Sequence, residues 1–150
     1  MGDWIEREAE KHRKEQEARE EWQFAVSFSN YWECIRHQVE KDIARINGEP
    51  VWKNKLLVPI EIIDVGSGYY EIRKESFPAV NILVSESARK VHLKFTSKKD
   101  HFSKPSERKE SLAVALEDRR IHLTRRDKSF RVPEEASEHI LTPIMDALKS

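Results

Sequence analysis

The side chains able to do chemistry gather in the second half of this chain. Strict alternation places Lys90, His92, Lys94 and Thr96 on the outward side of a strand over 90–97. Arg120, His122, Thr124 and Arg126 do the same over 120–126, and Ala113 and Ala115 between them leave room for a ligand to approach. Lys98, Lys99, Lys104, Arg108 and Lys109 follow in a polar stretch. Together they make a basic surface suited to phosphates, whose neutralisation releases counterions and strengthens binding at low salt. Lys90, Lys94, Lys98, Lys99, Arg120 and Arg126 are the residues that a nucleic acid would meet. Against this, no aromatic residue is interleaved on the face to stack bases. A charged face that simply keeps a sheet edge from aggregating accounts for the same pattern.

Six histidines are present: His12, His37, His92, His101, His122 and His139. None stands at the helical spacing of a zinc ligand pair. His92 and His122 are the weak candidates for a metal, needing close strands and a further ligand from Asp100 or His101. No metal and no cofactor is expected. Cys34 follows Glu33, whose charge opposes thiolate formation, so a buried or half-buried inert thiol is the expectation. Gly66-Ser67-Gly68 is too short for a phosphate loop and precedes a strand rather than a helix. Glu61 and Glu71 would face each other across a first hairpin, without the burial that acid–base work needs. Catalytic residues are therefore not assigned. An enzyme with a site around His92, His122 and the 98–110 stretch remains a third reading.

The 150 residues suit one domain, and the 27 basic and 27 acidic side chains cancel. The cancellation hides segregation. Residues 1–49 are net −4, 50–88 net −1, 89–131 net +8 and 132–150 net −3. One cysteine excludes an internal disulfide framework and fits a reducing compartment, so a cytoplasmic location is expected. The first 21 residues lack an apolar core of signal-peptide length, and no apolar run is long enough for a membrane span. No membrane partner is expected.

These side chains need elements to hold them. From Asp3 to Asn47 there is neither glycine nor proline. Phe24, Ala25, Phe28, Trp32, Ile35, Val39, Ile43 and Ile46 share one helical stripe. Asn47-Gly48, tolerant of left-handed geometry, and Pro50 should end this helix. Trp22, Phe24, Val26 and Phe28 also alternate as a strand would, but the continuous helix accounts for more positions. Residues 6–21 are almost all charged, with Glu10–Lys14 and Glu15–Arg19 spaced to pair at a few tenths of a kcal/mol each. Such an arm has no core of its own. It frays or projects into solvent, carrying Trp4 and Ile5 at its tip and Trp22 at its root.

Period-two patterns follow. Leu56–Val65, interrupted by Pro59, reads as an edge strand, and Tyr69–Lys74 as its hairpin partner. Ala79–Val84 and Lys90–Ser97 come next, joined by a turn over Ser85–Arg89. Residues 98–110 read as a long mobile loop. Leu112, Val114 and Leu116 define a fifth strand, and Asp118-Arg119 turns it into a sixth over 120–126. Pro133, with Glu134 and Glu135, starts a helix through Ala136, Ile140, Ile144 and Leu148, which Pro143 should kink or divide.

The expected fold is α+β: a long N-terminal helix packed on a roughly six-stranded antiparallel meander sheet, closed by a short C-terminal helix. Residues 1–22 form the charged arm and 23–150 a single domain. The function expected first is a non-catalytic intracellular module that binds a protein partner or a second copy of itself through Trp4, Ile5 and Trp22. Nucleic-acid binding through the basic face and the 98–110 stretch is the alternative.

Overall fold

A computed structural model describes residues 3–66, 68–87, 89–117 and 120–150. Helix α1 runs unbroken over Asp3–Gly48, so the strand alternative at Trp22–Phe28 is not adopted. A four-residue helix α2, Pro50–Lys53, follows. Seven strands come next: β1 Glu61–Gly66, β2 Tyr69–Lys74, β3 Ala79–Ser87, β4 Lys90–Lys98, β5 Ser106–Glu117, β6 Arg120–Arg125 and β7 Lys128–Phe130. Helix α3, Pro133–Lys149, ends the chain. The strands pair in sequential order, every pair antiparallel, as a meander requires.

Alternation sorts each strand between two faces. One transverse row reads Tyr70, Val84, Leu93 and Glu110; the next reads Ile72, Ile82, Phe95 and Arg108. These rows lie under the helices. Ile35, Val39 and Ile43 of α1 and Ala136, Ile140, Ile144 and Leu148 of α3 are buried in one cluster with them. Fully burying a side chain of this size contributes about 1.5–3 kcal/mol. Phe24, Phe28, Trp32 and Tyr70 form an aromatic ladder from helix to sheet, with ring centroids 5.6–6.3 Å apart.

Polar contacts fix the helices in place. Asp42 accepts from the Ser137 hydroxyl at 2.6 Å and from Gln38 at 3.1 Å, tying α3 to α1. Tyr31 donates to the Phe130 carbonyl at 2.9 Å, and burial pushes its phenol up to about 12. Lys55 donates to the Leu148 carbonyl at 2.7 Å, satisfying the end of α3.

Several boundaries differ from expectation. The first strand begins at Glu61, not Leu56, because Leu57 and Val58 turn their backbone N–H groups onto the Ser76 hydroxyl at 2.7 and 3.2 Å. Neither Asn47 nor Gly48 is left-handed. Instead the Asn47 amide exchanges two hydrogen bonds with the Ile60 backbone, at 3.0 and 2.9 Å, as the helix ends. β3 extends to Ser87, so most of the turn expected over Ser85–Arg89 is strand, and Arg89 takes φ 58°. Ser67, Ala88, Asp118 and Arg119, on which turns were placed, lie outside the described residues. β5 starts at Ser106, which shortens the expected 98–110 loop to 99–105. A seventh, three-residue strand pairs with β6. Pro143 does not divide α3, and the Thr142 hydroxyl donates to the Glu138 carbonyl at 2.7 Å beside it.

Candidate functional site

The amino-terminal half of α1 is the most exposed element. Every residue from Asp3 to Gln23 is exposed, and Trp4, Ile5 and Trp22 are 59, 57 and 68 % accessible. The ion pair formed there is Glu10–Arg13 at 3.2 Å, three residues apart rather than the expected four. Trp4 and Trp22 are eighteen residues apart, about five turns, which aligns them on one side of the helix roughly 27 Å from each other. Exposed Val26 lies one turn beyond Trp22. Glu17, Glu20, Glu21 and Phe24 line one side of a cleft whose other side is Arg89, Val114 and Leu116, and the Phe24 ring lies 4.3 Å from the Arg89 guanidinium.

The open sheet face holds the basic residues, but not as one patch. Lys98 lies where β5 begins, opposite Ala79, whereas Arg120 pairs with Glu117 where β5 ends. β5 is 12 residues long, about 40 Å at strand rise. Carboxylates are interspersed. Glu107 bridges Lys94 and Lys109 at 3.7 and 3.8 Å. Glu71 accepts from Arg73 and Asn81, and Arg73 first, then Asn81, holds its carboxyl below the usual range. The expected Glu61–Glu71 pairing does not form, since Glu61 stands opposite Arg73 and Glu71 opposite Ile63. Arg126 falls outside β6, in a left-handed turn with φ 55°. Lys90, Lys99 and Arg120 are exposed.

The two weak metal candidates stay apart. His92 pairs with Ser111 and His122 with Ala115, four residues further along β5, roughly 13 Å. Both ring nitrogens of His92 are engaged, by Ser87 and Ser111 at 2.9 Å each. His122 is buried, 3.8 Å from Glu117, and is not the solvent-facing residue expected. Among the described residues no group of three metal-ligating side chains assembles. Cys34 is exposed rather than buried.

Two clusters escaped the sequence reading. On the covered face, Glu110 is buried and shares a hydrogen bond with the His139 ring of α3, with Arg125 at 3.4 Å and the Phe130 ring 4.8 Å from the imidazole. This network pins α3 to the sheet. Glu110 occupies a core row, so its charge concealed an inward position.

The other cluster sits at the loop end of the sheet, where β2 meets β3 and β4 meets β5. The buried Lys74 amine donates to the Ser76 and Pro78 carbonyls at 2.6 Å each, and burial lowers its affinity for a proton. Ser76 holds Leu57, and the Phe77 ring lies 4.2 Å from that of His101. Asp100 accepts from the Phe102 and Ser103 backbone and from the Ser103 hydroxyl at 2.8–2.9 Å. The Ser103 hydroxyl above all, then the two N–H groups, holds the Asp100 carboxyl below its usual range. Leu57 and Phe102 are 92 and 98 % exposed on this braced scaffold. The signal that would have found them is an apolar residue with no apolar partner at strand or helix spacing.

No protein-family model matches this chain, and neither a curated protein nor a solved structure matches it.

Proposed function

We propose that this protein is a non-catalytic, intracellular binding module whose α1 arm docks onto a second copy of the chain or onto a helix of another protein. The observation that carries the reading is helical structure over Asp3–Gln23 in which every residue is exposed. Most helical stability in proteins comes from packing of an apolar face, which this arm lacks within its own chain, so an arm of this kind would gain stability from a partner. Trp4, Ile5 and Trp22 supply the apolar surface, and tryptophan is a frequent anchor of interfaces. The charges supply register, because residues 3–10 are net −3, 11–14 net +3 and 15–21 net −3. A single free cysteine at the surface suits a reducing compartment such as the cytoplasm.

Sedimentation equilibrium of the full chain and of a Trp4→Ala/Trp22→Ala variant tests the proposal. A concentration-dependent dimer that the double substitution converts to monomer supports self-docking. A native chain that is monomeric at all concentrations, and that no helical partner shifts, removes the arm from the account.

A further inference from the structure

We infer that the loop end of the sheet is a peripheral docking surface for an anionic lipid bilayer, into which Leu57 and Phe102 insert while the surrounding lysines meet the headgroups. This departs from the sequence-based expectation of no membrane partner. It is separate from any membrane span, and among the described residues no helix is long and apolar enough to cross.

Contacts bring the three segments together. The Leu57 backbone N–H donates to the Ser76 hydroxyl, Phe77 follows Ser76 in sequence, the His101 ring packs tilted against Phe77, and Phe102 follows His101. Lys55, Lys98, Lys99 and Lys104 belong to the same segments, against the carboxylates Glu75 and Asp100. Asp100 is turned onto its own loop, while Lys55 is held by the Leu148 carbonyl, which leaves Lys98, Lys99 and Lys104 to meet a surface. Nearly fully exposed apolar side chains with lysines in the same segments are the combination that peripheral membrane contact uses.

The form of the site selects the partner. Leu57 and Phe102 each project almost completely into solvent. A bilayer interface accepts such projections without a complementary shape, and anionic lipid attracts juxtaposed lysines. Base binding favours successive aromatic faces, and this end offers one free ring, Phe102, since Leu57 has none and Phe77 already contacts His101. The bracing by Lys74, Ser76 and Asp100 means that little ordering is needed on contact.

Co-sedimentation of the full chain with vesicles tests the inference, using phosphatidylcholine alone or mixed with phosphatidylserine. The chain should bind the mixed vesicles at low salt and not the neutral ones. Leu57→Ser with Phe102→Ser should weaken that binding about a hundredfold, and both positions are exposed enough to leave the fold intact. Lys98→Glu, Lys99→Glu and Lys104→Glu together should weaken it by more than about a hundredfold. The Trp4→Ala/Trp22→Ala protein should bind vesicles as the native chain does. No association with mixed vesicles, undiminished binding by the Leu57/Phe102 variant, or loss only in the tryptophan variant would each overturn the inference. So would retention of single-stranded DNA, lost in the lysine variant, without vesicle binding.

Discussion

The two halves of α1 have the same backbone geometry and opposite surroundings. From Phe24 to Ile46 the helix lays an apolar stripe on the sheet and meets α3, with Ile35, Val39 and Ile43 buried. From Asp3 to Gln23 every residue is exposed and none is packed into the core. Helical form therefore says little about what stabilises a segment. The carboxyl half is held by burial worth kilocalories per side chain, the amino half by pairs worth tenths.

Substitutions should separate the halves in order of size. Ile35→Ala, in the docked half, should lower unfolding free energy by about 2–5 kcal/mol in a denaturant titration. A loss below about 1 kcal/mol would mean that the stripe is not what holds α1 to the sheet. Glu110→Ala, which removes the partner of His139 and Arg125, should cost about 2–3 kcal/mol, less than breaking a fully buried pair because both partners keep some solvent. Ser76→Ala frees the Leu57 and Val58 N–H groups and should cost about 1–2 kcal/mol.

Acid gives a smaller contrast. The Glu71 carboxyl is held low in the folded chain, chiefly by Arg73, so its contribution is complete above the ordinary carboxylate range. It is lost as pH falls through the lowered value. Glu71→Gln should flatten that part of the stability–pH curve by under about 1 kcal/mol. The smallest effect belongs to Trp22→Ala, which should alter unfolding free energy by less than about 0.5 kcal/mol while altering association.

The contrast also explains what the sequence disclosed. The stripe Phe24–Ile46, the proline start of α3 and the alternation in β2, β3 and β4 follow from burial on one side, which leaves a periodic trace. β5 did not, because Arg108 stacks on Phe95 and Glu110 pairs with His139 inside the covered face, so a charged run read as loop. Pro59 and the Ser76 hydroxyl withdrew Leu56–Ile60 from the sheet through a contact eighteen or nineteen residues away in sequence. The arm residues Trp4, Ile5 and Trp22 were legible as apolar residues without neighbours. Leu57 and Phe102 have the same property and were passed over because each was assigned to an ordinary strand or loop.

Amide hydrogen exchange along α1, at low and high protein concentration, tests the central claim most directly. The account predicts strong protection over residues 35–46 at both concentrations, and protection over residues 4–22 only when the chain is concentrated enough to associate. Protection of residues 4–22 that matches 35–46 and ignores concentration would contradict it, since the arm would then be held from within its own chain.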